Sequence, residues 1–273
     1  MTGEPVPLSP SSARRVAAMV LRYWYLLRTS WPRLVELVYW PTVQMVMWGF
    51  LQLHLANNVG LTARLGGAFI GAMLLWDILF RGQIGFSISF LEEMWARNIG
   101  NLMMSPLRPV EFLSALMVMS IIRLSIGFVP VTFFAMMFFG FNVWQLGLAL
   151  AVFFANLIFT SWALGMFVCG LVLRNGLGAE NLAWTLTFVL LPLACVYYPV
   201  SALPDWLQYV SWALPPTYVF EGMREILLNG VFRGDLMLIA LCLNAGYFTV
   251  GAFSYSMMLA AARRRGSLLQ LGE

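Results

Sequence analysis

The chain has 273 residues, of which 61% are hydrophobic and only 10% charged, and its mean hydropathy is +0.81. A soluble domain carries about a quarter of its residues as charge; this composition excludes a soluble enzyme and predicts an integral membrane protein, with room for six or seven helical spans at about 20 apolar residues each. All 16 basic residues are arginine and the formal net charge is +4, yet no stretch is both basic and soluble, which argues for loops at an anionic lipid surface and against a nucleic-acid partner.

The first residues, MTGEPVPLSPSS, are polar and Pro-rich and lead into arginines rather than a short apolar core, so no signal peptide is expected. From Ala13 to Trp31 the spacing predicts an amphipathic helix. On a helical wheel Arg14, Arg15, Arg22 and Arg28 fall within an arc of about 140°, opposite Val16, Met19, Val20, Tyr23 and Leu27. This helix is expected to lie in the membrane interface, so residues 1–31 form a tail and interface helix ahead of a transmembrane domain at 32–273.

The first span is expected at Leu34 to Leu55, kinked at Pro41. A polar connection from Asn57 to Arg64 leads to the second, which carries Asp77 and Arg81 four residues apart, neighbours on one helix face. Charges in lipid are costly, so these two should pair or face protein and water. The third span, Phe112 to Phe139, contains Arg123, which is expected either to snorkel to the interface or to face a partner subunit or an anionic substrate group. The FNVW segment closes a hairpin with the fourth span, Leu146 to Leu173, and a fifth is expected from Leu182 to Tyr198. Residues 199–230 combine aromatic residues, four prolines and charges; they are too Pro-broken to cross lipid and too apolar for a plain loop, so short re-entrant helices anchored by Glu221 and Arg224 are expected there. The last span, Leu236 to Leu259, ends at Arg263, Arg264 and Arg265.

Six crossings place both termini on one side. With that side cytoplasmic, Arg14, Arg15, Arg22, Arg28, Arg33, Arg97, Arg108, Arg174 and the three terminal arginines lie inside and Arg64, Arg224 and Arg233 outside, as arginine bias requires. The segment between the second and third spans, about residues 89–105, holds Glu92, Glu93, Arg97 and Asn98 before Gly100 and a Ser105-Pro106 break, and a short charged helix is expected there. Cys169, Cys195 and Cys242 are widely spaced in apolar segments, with no metal or disulfide pattern. His54 is the sole histidine, and no acidic pair is placed for hydrolysis or metal ligation.

The run RNIGNLMMSPLRPVEFLSA with the preceding charges resembles the cytoplasmic connection of ABC type-2 export permeases, the membrane subunits of bacterial ATP-binding-cassette exporters. A second block at residues 191–230 is similar to that family's extracytoplasmic region, matching it at Pro215, Tyr218, Gly222, Arg224 and Gly230. The resemblance implies an all-α six-span permease in a bacterial inner membrane, working as two permease copies with two cytoplasmic ATPase subunits that carry the ATP and Mg. It implies that the helix around Glu92 to Asn101 is the coupling element, that Glu92, Glu93, Arg97 and Asn98 meet the motor, and that the helix from Arg14 to Arg28 meets it too. The sequence has no G-x-x-x-x-G-K-[ST] loop, consistent with no cofactor on this chain. A hydrophobic or amphiphilic cargo fits the aromatic and apolar interior; a lipid-linked polysaccharide permease and a membrane-embedded lipid enzyme are the rival readings.

Overall fold

The computed structural model describes residues 11–58 and 63–265, and every regular element among them is helical. The connection expected at Asn57 to Arg64 falls largely outside the described residues. Five helices are long and apolar enough to cross a membrane by length and composition: α2 (Trp31–Asn58), α3 (Ala63–Trp95), α5 (Pro109–Phe139), α6 (Leu148–Asn175) and α10 (Gly234–Arg265). Ahead of them, α1 (Ser12–Thr29) buries Met19, Tyr23 and Leu27, the stripe that its periodicity selects.

Two expectations change. The fifth crossing, expected from Leu182 to Tyr198, is helical only over Leu182–Leu193 (α7), with a 3-10 turn at Leu177–Ala179 just before it. Twelve residues rise about 18 Å, less than the hydrocarbon thickness, and the apolar helical segment reaches 17 residues only when the turn is counted with it, Leu177–Leu193. The helix stops there because Pro192 sits in its last turn and Cys195 takes a left-handed backbone, φ 52°. The helix expected at about 89–105 is likewise redrawn. Residues up to Trp95 belong to α3, because the chain has no proline between Pro41 and Pro106 and charge alone does not end a helix. Only Ile99–Met104 forms the separate short helix α4.

The turn between α3 and α4 is a Schellman motif. Asn98 N donates to Glu93 O at 2.9 Å and Arg97 N to Met94 O at 3.0 Å. The left-handed position of such a cap is normally a glycine, as Gly140 is at the end of α5 (φ 67°); here it is Arg97, at φ 52°.

After α7 the chain makes α8 (Asp205–Trp212) and α9 (Pro215–Asn229). Pro215 and Pro216 open α9, where a missing N–H is harmless, and Gly230 closes it in the left-handed conformation. Val219, Phe220 and Met223 of α9 are fully buried in the bundle, whereas Trp206 and Tyr209 of α8 lie on the surface. The core runs in two clusters along the bundle. One, at the α1 end, is built on Tyr23, Phe86, Phe90 and Phe112; the other, at the α9 end, on Met73, Leu74, Phe153 and Phe220.

In lipid no hydrophobic force drives one helix onto another, so close backbone packing and interhelical hydrogen bonds join the spans. A Cβ at Gly127 of α5 would lie 2.4 Å from Leu37 O of α2, and one at Gly251 of α10 would lie 2.6 Å from Ala163 O of α6. Thr160 donates to Asn244 Oδ1 at 2.6 Å and Asn244 Nδ2 to Asn156 O at 2.9 Å, locking α6 to α10. Thr187 of α7 donates to Gln83 Oε1 of α3 at 2.8 Å.

Candidate functional site

Three carboxylates, Glu111, Glu93 and Glu92, gather the arginines at the α1 end, and a fourth, Glu180, binds an indole. Glu111, in the first turn of α5, accepts from the backbone N of Arg108 at 3.0 Å and so satisfies an orphan donor at that helix start; it also receives Arg15 of α1, through Nε at 2.9 Å and Nη2 at 2.5 Å. Glu93 is 1% exposed and takes a two-pronged bond from Arg22 (2.6 and 3.0 Å) and one from Asn98 Nδ2 (2.7 Å). Glu92 is shared between Arg33 of α2 at 2.9 Å and Arg123 of α5 at 3.0 Å. Glu180 accepts from the Trp95 indole at 2.9 Å. Tyr23, buried beside Glu93, has its phenol pKa pushed far up, by burial first and the carboxylate second, so it stays neutral.

These contacts relocate several residues singled out from the sequence. Glu92 and Glu93 point into the bundle, while Arg97 is exposed, Asn98 is half-buried and Asn101 is exposed. Arg15 and Arg22 hold α1 to the spans, whereas Arg14 is exposed and Arg28 stacks over the Tyr25 ring at 5.1 Å. Arg123 is only 6% exposed. Arg81 gives its Nε to both oxygens of Asp77, at 2.7 and 2.8 Å.

Glu221 and Arg224 form a clamp at the other end. Arg224 Nη1 donates to Cys195 O at 2.9 Å and Val196 O at 3.3 Å, and its Nη2 donates to Glu221 Oε1 at 2.9 Å; that same oxygen accepts from Val200 N at 2.8 Å. The pair therefore satisfies the backbone groups freed where α7 breaks. Tyr218 donates to Trp212 O at 2.8 Å, and Gly222 lets the Met237 methyl approach to 2.8 Å of where a Cβ would sit.

Between α2, α3, α5 and α7 lies a cavity of about 460 Å³. Its α3 wall runs from Phe80 to Trp95, about 22 Å at the helical rise. Arg33, Glu36, Glu92 and Arg123 line it, Arg81 stands one residue from Phe80, and Trp40, Phe80, Trp184 and Phe188 give it aromatic walls. Trp40 (54% exposed), Trp184 (40%) and Phe188 (53%) leave one flank open, so it is a groove rather than a closed chamber. Among the described residues no three His, Cys, Asp or Glu side chains gather as a metal cluster.

A family model described as ABC-2 type transporter matches residues 17–228, from within α1 almost to the end of α9. The chain belongs to the ABC-2 type transporter family. It is accordingly a multi-pass membrane permease of an ATP-binding-cassette transporter, and ATP hydrolysis belongs to a separate subunit with which the permease associates. No curated protein matches the permease at a significant level.

Sequence reasoning missed Arg33, Glu111 and Glu180 as partners in this permease. Glu111 carried a usable signal, an acidic residue in the first turn after an Arg-Pro start. The pairing of Arg33 with Glu92, across 59 positions, carried none.

Proposed function

We propose that the chain is the permease subunit of an exporter that moves a hydrophobic or amphiphilic compound out of a bacterial cell across its inner membrane. The observation that carries this reading is the open-sided groove, charged toward Glu92 and aromatic toward Phe80. A second copy of the chain covers its exposed flank at Trp40, Trp184 and Phe188, and the route runs between the copies. Leu177–Leu193 completes six crossings; at 17 residues it lies at the short end of the spanning range, with α8 and α9 filling the membrane depth that it leaves. Both termini are then cytoplasmic, in agreement with the arginine bias.

ATP and Mg reside on the partner ATPases, whose closure pushes on the turn between α3 and α4. Arg97 and Asn98, with the exposed Asn101, meet the motor. Glu92 and Glu93 pass that displacement on, since their partners Arg22, Arg33 and Arg123 sit on α1, α2 and α5. Support comes from the strained turn: a non-glycine at φ 52° in an exposed cap is retained against a backbone penalty.

The test is reconstitution of the permease with its ATPase in liposomes. Cargo-stimulated ATP hydrolysis is expected from the pair and none from the permease alone; turnover or transport by the permease alone refutes the proposal. Cysteines placed near Asp205 should react with an impermeant reagent from outside, and those near Arg97 should not.

A further inference from the structure

The charges lining the groove are unequally committed. Arg81 uses only Nε on Asp77, and neither Nη bonds to a described residue. Arg123, 6% exposed, engages Glu92 through Nη2 alone, and its buried Nε has no partner. The carboxylates are placed differently. Asp77 is 2% exposed and bonded to Arg81, Glu92 is shared by two arginines, and Glu36 stands at the exposed mouth. The uncommitted charged donors inside are therefore all guanidinium groups, the side chain suited to carboxylate, sulfonate and phosphate oxygens. A cation, by contrast, would find a free carboxylate only in Glu36 at the exposed mouth, and deeper in the groove would have to displace Arg33 or Arg123 from Glu92. Phe80, Trp184 and Phe188 form a contiguous aromatic cluster beside Arg81, with ring centroids 5.4 to 6.0 Å apart along the chain of contacts.

Resting on the reading of the groove as the cargo route, we infer that its occupant is an amphiphile carrying an anionic group. Arg81 and Arg123 bind the oxyanion, and the apolar body lies on Phe80, Trp184 and Phe188. A volume of about 460 Å³ admits a drug-sized molecule. The same chemistry is offered by a free organic acid and by an anionic lipid headgroup, and the experiment separates the two.

The permease–ATPase complex is placed in phosphatidylcholine nanodiscs and titrated with 1-pyrenebutyric acid, 1-pyrenebutanol and 1-pyrenebutylamine, which share a body and differ in charge. Saturable energy transfer from tryptophan to pyrene reads binding, and ATP hydrolysis is followed in parallel. The acid is expected to bind about ten- to a hundredfold more tightly than the alcohol, as charge-assisted hydrogen bonds give. Arg123→Gln, and Arg81→Gln made together with Asp77→Asn so that no buried charge is left alone, should each bring acid and alcohol within threefold. Size-exclusion profiles and retention of the ATPase check that the variants fold.

Equal or tighter binding of the alcohol or amine, or an acid preference that survives both variants, overturns the inference. If the alcohol binds and stimulates ATP hydrolysis without any acid preference, the inference falls and the exporter reading stands. If no probe binds or stimulates, the groove as cargo route falls, and the inference with it. Given the acid preference, exchanging phosphatidylcholine for phosphatidylglycerol assigns the source: competition with the acid identifies a lipid occupant, and no competition a free organic acid.

Discussion

Arg97→Gly is expected to tighten the turn after α3 while weakening communication with the motor. Arg97 holds φ 52° at the left-handed position of the cap, and its exposed side chain makes no hydrogen bond to a described residue, so the substitution removes backbone strain and no contact within the chain. The left-handed conformation costs a non-glycine residue about 1–2 kcal/mol, and the greater freedom of glycine in the unfolded chain returns about 0.5–1 kcal/mol of that. The net expectation is a stabilisation of about 0.5–1 kcal/mol, which is about a two- to fivefold slowing of local opening. Hydrogen exchange on peptides covering residues 93–101 reads this directly in the purified permease. In the reconstituted complex the same variant should lose most cargo-stimulated ATP hydrolysis, and Arg97→Ala should lose it too without slowing exchange. Faster exchange in the glycine variant refutes the account of the turn; slower exchange with full coupling refutes the role of Arg97 at the motor.

Three further outcomes follow from the packing. Glu93→Gln keeps the side-chain shape but removes the charge that Arg22 grips; because Arg22 is 38% exposed and can rehydrate, the loss should be about 1–2 kcal/mol, seen as faster hydrogen exchange across α1. Combining it with Arg22→Gln should be less than additive, and an unchanged α1 would count against the pair. Gly127→Ala brings a methyl to 2.4 Å of the Leu37 carbonyl and should destabilise the protein by about 1–3 kcal/mol in detergent unfolding, whereas Gly178→Ala, with nothing within 4 Å, should be close to neutral. Arg224→Gln strips donors from the Cys195 and Val196 carbonyls; labelling of the buried Cys195 by a maleimide should accelerate by an order of magnitude or more, at about 2 kcal/mol, and an unchanged rate would show that the clamp is dispensable.

The membrane class, the long helices and the amphipathic character of α1 were legible in the chain because each depends on local composition and on the period of one helix. The motif positions around α9 were legible for a similar reason: Pro215 and Gly230 act within their own turns, as helix start and stop. Where the second span ends was harder, since Glu92 and Glu93 look like surface charge until it is known what they face. The short α7 was misjudged because apolar length was read as helix length, although Pro192 and the backbone at Cys195 stop it early.

By itself, then, the sequence determined the solvent, the order of the spans and the positions able to cap or break them, all set by interactions a few residues long. Tertiary structure decided which carboxylate meets which arginine, that Glu92 and Glu93 face inward while Arg97 stands at the exposed tip, and that four helices leave a groove between them. Those outcomes depend on helices brought together from positions 31 to 96 residues apart. In lipid such partners are chosen by where close-packed backbones bring polar groups within reach of one another, and no local pattern encodes that.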